Sequence, residues 1–261
     1  YGLGQIAEKQ GDGTAASAHY SDALDRYRAL SDDAGIADSL HGLGGVAFNV
    51  GDYDRALAAF EESLALRRAI GDPRAIASSL NNIGGALSAQ GSTDRSIVFF
   101  NESLQMRRMV GEARGIAMSL LNLGHVLEEA GDLESAFAHF SESYDRFRAI
   151  GGKQGIVIAL NNLASNWRKR AEPGRAAVLY DETLMLARSL DDRLMIAHAL
   201  NGLAGAQMAL GSHETALRLL DEEILLRREL GGADFLALAL QMRADALQAL
   251  EGESKSDSAE L

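Results

Sequence analysis

A period of 40 residues runs through the sequence, and it constrains the fold more than any other feature. Glycines, apolar residues and small residues each recur at this step. A period of roughly 20 to 50 residues is typical of proteins that stack one supersecondary unit on the next instead of burying a single globular core. The recurring columns are Gly11, Gly51, Gly91, Gly131 and Gly211; Leu3, Leu43, Ile83, Leu123, Leu163 and Leu203; and Gly4, Gly44, Gly84, Gly124, Ala164 and Ala204.

Each repeat contains the pattern of two helices. Apolar residues three or four positions apart run from Ile76 to Leu87 and again from Ile97 to Leu104, on either side of Gly91 and Ser92. Such spacing is typical of amphipathic helices. Glycine tolerates the positive φ that ends one helix, and the following Ser or Asp can cap the next. Because no stretch alternates as a strand would, the sequence predicts an all-α protein.

Mid-helix glycines indicate close packing between the two helices of a repeat. Glycine costs about 1 kcal/mol relative to alanine inside a helix, so Gly44, Gly84 and Gly124 need a compensating contact. Twelve residues after each of them stands another small residue, which predicts that the helices cross there. Large residues four positions further on are predicted to fill the space between neighbouring repeats. The small residues are Ala56, Ser96, Ala136, Ala176 and Ala216, and the large ones are Phe60, Phe100, Phe140 and Tyr180.

The pattern Leu40-x-x-Leu43-Gly44 followed by Ala56-x-x-x-Phe60 resembles the tetratricopeptide repeat (TPR) signature. The usual Trp is replaced by Leu, the terminal Pro is absent, and the repeat has 40 residues instead of 34. These departures resemble the kinesin-light-chain/LGN-like subclass and the C-terminal TPR arrays of bacterial signal-transduction ATPases and transcriptional regulators. The resemblance implies a right-handed superhelical solenoid of antiparallel helix pairs. A HEAT or armadillo array has a compatible period but leaves the paired small residues unexplained.

The columns divide the chain into a TPR array over residues 1–250 and a disordered tail over 251–261. Because Gly4 is equivalent to Gly44, the first helix lacks the residues that match Ile36–Leu40, so we expect the sequence to be a fragment of a longer protein. The predicted repeats cover 1–32, 33–72, 73–112, 113–152, 153–192 and 193–232, followed by a capping helix over 234–250.

Composition excludes several classes of function. A net charge of −12 argues against direct nucleic-acid binding, which needs clustered positive charge. No apolar run is long enough for a membrane span. The absence of cysteine is compatible with the cytoplasm and removes thiolate chemistry. The six histidines form no zinc pattern, and Gly151-Gly152-Lys153 lacks the rest of a phosphate-binding loop. We therefore expect no enzyme, no cofactor and no metal site.

The candidate site is a groove lined by the first helices of the repeats. Asparagines recur there, and an amide can both donate and accept hydrogen bonds, so a row of amides could hold the backbone of a peptide. The resemblance to TPR proteins implies the same use of this column. The alternative is that the amides bond to the adjacent first helix and fix the stacking; the sequence leaves both open. The asparagines are Asn81, Asn82, Asn122, Asn161, Asn162 and Asn201.

Other predicted groove positions differ between repeats, as specificity positions would. They include His125, Glu128, Arg168 and His198. Trp167, the one tryptophan, precedes Arg168-Lys169-Arg170 and lies near Arg175. This segment could anchor an acidic or aromatic ligand. The favoured interpretation is a core tryptophan with cations at a helix C-terminus, where the macrodipole attracts them.

The sequence therefore predicts a non-enzymatic scaffold that binds a protein or peptide in its concave groove. The implied context is the sensing or docking module of a larger bacterial regulatory protein. The alternative is a structural assembly or self-association element with no separate peptide ligand.

Overall fold

The computed structural model describes residues 1–231 and 233–259, with side chains up to residue 252. These residues form thirteen α-helices and no strand, which confirms the predicted all-α, TPR-type fold of helix pairs. The helices are α1 (Gly2–Lys9), α2 (Gly13–Leu30), α3 (Asp33–Asn49), α4 (Tyr53–Ile70), α5 (Pro73–Ala89), α6 (Thr93–Met109), α7 (Ala113–Glu129), α8 (Leu133–Ala149), α9 (Lys153–Lys169), α10 (Pro173–Ser189), α11 (Arg193–Ala209), α12 (His213–Leu230) and α13 (Ala233–Ala259).

Short turns with positive φ separate the helices. At the α3–α4 turn Gly51 has φ of 79°, and the Asp52 carboxylate accepts a hydrogen bond of 3.2 Å from the amide of Arg55. The equivalent turn between α9 and α10 has no glycine, so Ala171 adopts φ of 58°. The turn residues thus close one helix and start the next within three positions.

The chain forms two compact units. The first spans Tyr1–Asp132 and contains α1 to α7, and the second begins at Leu133 and contains α8 to α13. Within each unit every helix packs against the helix that follows it. The odd-numbered helices are also neighbours of one another, as α1 with α3, α3 with α5, α5 with α7, α9 with α11 and α11 with α13. The odd-numbered helices of each unit thus form one layer.

Aromatic rings fill the space between successive pairs, as the sequence predicts. Phe60 of α4 is 1% exposed and packs with Ala47 of α3 and with Leu80 and Ile83 of α5. A β-carbon at Gly44 would lie 2.6 Å from Cδ1 of Phe60, so this glycine makes room for the ring. These rings hold both neighbouring first helices in place.

The predicted crossing of small residues is present between α5 and α6. The hydroxyl of Ser96 donates a hydrogen bond of 2.7 Å to the carbonyl of Gly84, and both residues are buried. A helix carbonyl can accept this second bond only where the partner helix lies close to its backbone. A β-carbon at Gly84 would lie 3.0 Å from Cδ1 of Phe100 on α6, so the glycine makes room for that ring.

The last helix differs from the sequence prediction. The capping helix was predicted to end at residue 250 and a disordered tail to follow, but α13 continues to Ala259. The segment after 250 contains Glu and Lys, which favour helices, and no proline to end one. Residues 260 and 261 lie outside the described part of the chain. No described helix combines the length and the apolar character needed to span a membrane.

Candidate functional site

A pocket of about 390 Å³ opens on the layer of odd-numbered helices in the first unit. It contains three of the asparagines predicted from the sequence, together with two glycines and three phenylalanines. The lining residues are Glu8 of α1; Gly45, Phe48 and Asn49 of α3; Phe60 of α4; Asn81, Asn82 and Gly85 of α5; Phe100 of α6; and Asn122 of α7.

Two glycines give the pocket its depth. A β-carbon at Gly85 would meet no atom within 4 Å, and one at Gly45 would meet only Glu8 Oε1, at 3.6 Å. Side chains at these positions would therefore project into empty space inside the pocket. Phe48, which packs against Tyr53 with ring centroids 5.5 Å apart, supplies an aromatic wall. The pocket thus has room for a side chain of a ligand between an aromatic ring and bare helix backbone.

The amides of the pocket bond from one odd-numbered helix to the next. Asn122 Nδ2 donates to Asn81 Oδ1 at 2.9 Å, which joins α7 to α5. Asn82 Nδ2 lies 3.1 Å from His41 Nε2, which joins α5 to α3. Within the described residues, no other hydrogen bond engages Asn81 Nδ2, Asn122 Oδ1 or the second polar atom of the Asn82 amide. The same amides can therefore fix the stacking and offer donors and acceptors to a ligand.

Glu8 gives one side of the pocket a negative charge. It is exposed, and its carboxylate accepts a hydrogen bond of 2.8 Å from the hydroxyl of Tyr20. Burial of the Tyr20 ring, followed by the bond to Glu8, raises the pKa of that phenol well above its usual range. Tyr20 therefore stays protonated as a donor, and the free lone pairs of Glu8 are available to a cationic group.

A buried arginine connects α3 and α5, the helices that carry His41 and Asn82. Arg67 of α4 donates to Asp38 at 2.8 Å and to Ser79 at 2.9 Å, and it lies 3.1 Å from His41 Nδ1. Burial, and next the charge of Arg67, lower the pKa of His41 to about 4. His41 is therefore neutral near pH 7. Because Nδ1 accepts from Arg67, Nε2 carries the proton and can donate only to the amide oxygen of Asn82, which requires the Asn82 amide to be turned so that its oxygen faces the ring. This network orients one of the pocket amides.

In the second unit the predicted asparagines are engaged in packing. Asn201 donates to Glu223 Oε2 at 3.1 Å and lies 3.4 Å from the sulfur of Met242. Asn162 is 7% exposed. Asn161 Oδ1 is buried without a partner among the described residues. In the first unit the equivalent Asn81 accepts from Asn122. The residue of the second unit that corresponds to Asn122 is Gly202, which has no side chain to donate.

The remaining predicted positions lie on the odd-numbered helices but outside the pocket. On α7, His125 is exposed and Glu128 half-buried. His198 of α11 lies 3.5 Å from Arg227 and packs edge-on to Phe235, and burial lowers its pKa. Arg168 of α9 is exposed, with its Cδ 3.9 Å from the position of a β-carbon at Gly205.

Sequence reasoning did not select Glu8, Gly45 or Gly85. A signal was present in the column that contains Gln5, His125 and Ser165, because it has glycine at 45, 85 and 205, and asparagines stand within four residues of each glycine. A missing side chain beside retained amides indicates a depression in the surface. Within the described residues, no three His, Asp or Glu side chains are placed to hold a metal ion.

The family model of the tetratricopeptide repeat matches residues 1–69, 35–109 and 115–189. These matches cover more than half of the sequence, so the chain belongs to the TPR family, as the sequence columns indicated. Among curated proteins no relative matches the sequence.

Solved structures share the fold at low sequence identity. The apo form of the quorum sensor NprR from B. thuringiensis is 19% identical with a TM-score of 0.73, over 93% of this chain and 68% of that one. The Rap conjugation gene regulator of plasmid pLS20, solved with the Phr* peptide, is 17% identical with a TM-score of 0.65, over 97% and 73%. A signal transduction ATPase with a TPR sensor from Pyrococcus horikoshii is 14% identical with a TM-score of 0.77, over 97% and 41%. At these identities the likeness shows the fold alone.

Proposed function

We propose that this protein is a non-enzymatic scaffold that binds a peptide segment in the pocket of its first unit, and that it serves as the sensing or docking module of a larger bacterial regulator. The observation that carries the proposal is the coincidence of Gly45 and Gly85 with the amides of Asn82 and Asn122 in one open pocket. Bound peptide in the Rap regulator of pLS20 supports this use of the fold.

The pocket favours an extended peptide with one apolar side chain. The amides of Asn81, Asn82 and Asn122 can bond to a peptide backbone, whose groups are the same in every sequence. The space above Gly85 beside Phe48 can take the apolar side chain, and Glu8 would attract a flanking cation. Affinity would then come from hydrogen bonds to the peptide backbone, and specificity from the apolar side chain and the flanking cation of the peptide.

A selection of displayed peptides on the full chain, followed by a binding titration of the selected peptide, tests the proposal. Gly85→Leu is the sharpest variant, because its side chain would enter the empty pocket without meeting protein atoms near the β-carbon. We expect it to abolish binding while the melting temperature stays the same or rises, since leucine also favours the helix. The Asn82→Ala/Asn122→Ala double variant should weaken binding by about 1–3 kcal/mol.

The matched control is Asn101→Ala. Asn101 is an exposed asparagine of α6, outside the pocket, and its one hydrogen bond within the described residues is to the carbonyl of Ile97. It should leave affinity unchanged. If the Gly85→Leu protein binds the selected peptide as tightly as the unmodified chain, the pocket is not the binding site and the proposal fails.

Self-association is the second candidate. The bonds Asn122–Asn81 and Asn82–His41 favour it, because they show that the amides have structural partners without any ligand. Sedimentation of the full chain separates the two proposals. If no peptide is selected, and if the chain is a dimer that Gly85→Leu converts to a monomer, self-association becomes the favoured function.

A further inference from the structure

Two arginines stack on the tryptophan of the second unit. The guanidinium carbon of Arg170 lies 4.7 Å from the Trp167 ring centroid, and that of Arg175 lies 4.5 Å from it. Arg170 also lies 5.6 Å from the ring centroid of Phe137, which meets Trp167 edge-on at 5.0 Å. Trp167 itself is half-buried and packs against the core of α9, α10 and α11.

The two guanidinium groups have no anionic partner in the described part of the chain. Both arginines are exposed, and neither forms an ion pair or hydrogen bond through its side chain there. Glu172 lies between them in sequence but pairs with neither. Two other exposed arginines are held by carboxylates: Arg188 contacts Glu222, and Arg55, at the position equivalent to Arg175, contacts Asp52 at 3.4 Å. Arg170 and Arg175 are held by an aromatic ring instead.

Stacking prepares an arginine for an anion. It restrains the side chain by contact with the ring face and leaves the edge N–H groups, which bind carboxylate in pairs, directed outward. A flexible arginine loses more conformational freedom on binding than a restrained one. Arg168 and Lys169 add positive charge to the same end of α9, in a chain whose net charge is −12.

We propose that Arg170 and Arg175, held on Trp167, bind the carboxylates of an acidic peptide segment. Both guanidinium carbons lie within 5 Å of one ring centroid, so they are at most about 9 Å apart. Two carboxylates on nearby residues of one peptide can span this distance, with one on each guanidinium. The site lies wholly in the second unit and does not depend on the pocket of the first.

Tryptophan emission measures this directly, because the chain contains a single tryptophan. The full chain is titrated with a short peptide of alternating Glu and Gly, with the Gln and Gly peptide of the same length, and with inorganic phosphate. We expect a saturable change in emission with the Glu peptide alone, and weaker binding as salt is added. Calorimetry repeats the titrations, because substitutions next to the ring also alter its emission.

The Arg170→Gln/Arg175→Gln double variant should bind the Glu peptide about tenfold or more weakly, and Arg55→Gln should bind it as the unmodified chain does. Equal binding of the Glu and Gln peptides, or no loss of affinity in the double variant, would overturn the proposal. Saturation by phosphate without binding of the Glu peptide would also overturn it and assign the arginines to phosphate.

Discussion

Gly202 of α11 lies directly under the ring of Tyr180 of α10. A β-carbon at Gly202 would be 2.3 Å from Cε1 and Cζ of that ring, which is 3% exposed and packs in the core formed by α9, α10 and α11. Three residues further along the same helix, a β-carbon at Gly205 would meet its nearest atom at 3.6 Å, an ordinary contact. The two glycines therefore differ in what they permit.

Substitution of each glycine by alanine should change stability in opposite directions. Gly202→Ala forces a methyl group into a buried ring that cannot move freely, and we expect a loss of about 1–3 kcal/mol. Gly205→Ala should be neutral or gain up to about 1 kcal/mol, because alanine favours the helix. Denaturant unfolding of both variants measures the difference. Similar stabilities would contradict the close approach of Tyr180.

The contact between Tyr180 and Gly202 also explains why asparagine stands at 82, 122 and 162 but not at 42 and 202 of the same column. Tyr20 lies against Gly42 and Tyr180 against Gly202, whereas the equivalent rings that precede asparagines are phenylalanines. A tyrosine with glycine and a phenylalanine with asparagine are thus alternative ways to fill one space. The phenylalanine and asparagine pairs are Phe60 with Asn82, Phe100 with Asn122 and Phe140 with Asn162.

The repeat period was sufficient to predict the helices, their pairing and the aromatic contacts, because each depends on residues at fixed spacing. The site was only partly predictable. The sequence selected Asn82 and Asn122, but it could not show that these amides bond to His41 and Asn81, since that depends on the offset between successive odd-numbered helices. The depth of the pocket likewise could not be predicted, because it depends on the direction in which position 85 faces on α5.

Ala171 offers a test of backbone strain at a turn. Its φ of 58° is a left-handed conformation that costs an alanine about 1–2 kcal/mol, while glycine adopts it freely. Because glycine also loses more conformational freedom on folding, we expect Ala171→Gly to stabilise the protein by about 0.5–1 kcal/mol. The reciprocal control is Gly91→Ala, at φ of 77° with no atom near its β-carbon, which should destabilise by about 1 kcal/mol. Thermal melts of both proteins should shift in opposite directions.

Arg67 and Arg68 are adjacent residues with different roles. The side chain of Arg67 is 8% exposed and bonds to Asp38 and Ser79, whereas that of Arg68 is 52% exposed and pairs with Glu102. Arg67→Ala would leave buried groups unpaired, and we expect a loss of about 3 kcal/mol or more. Arg68→Ala should cost about 0.5 kcal/mol, as exposed ion pairs do. Equal losses in urea unfolding would show that the Arg67 network contributes little.

His41 should make stability depend on pH. Its pKa is lowered from 6.5 to about 4 in the folded protein, first by burial and then by Arg67, while Asp38 acts in the opposite direction. Between these two pH values the unfolded chain binds the proton more tightly than the folded chain. The free energy of unfolding should therefore fall as pH drops from about 6.5 to about 4, by up to about 3 kcal/mol from this group.

The matched variant is His41→Asn, because asparagine occupies the equivalent positions 81, 161 and 201. Asparagine does not titrate, so the difference in unfolding free energy between the variant and the unmodified chain isolates His41 from the other ionisable groups. His198, whose pKa is also lowered by burial and then by Arg227, keeps its contribution in both proteins. Urea unfolding of both proteins at intervals from pH 7.5 to pH 4 should show that the unmodified chain loses stability faster than the variant below about pH 6.5. Parallel pH profiles would mean that His41 accepts a proton in the folded protein as readily as in the unfolded one, and that its link between Arg67 and Asn82 does not require the neutral ring.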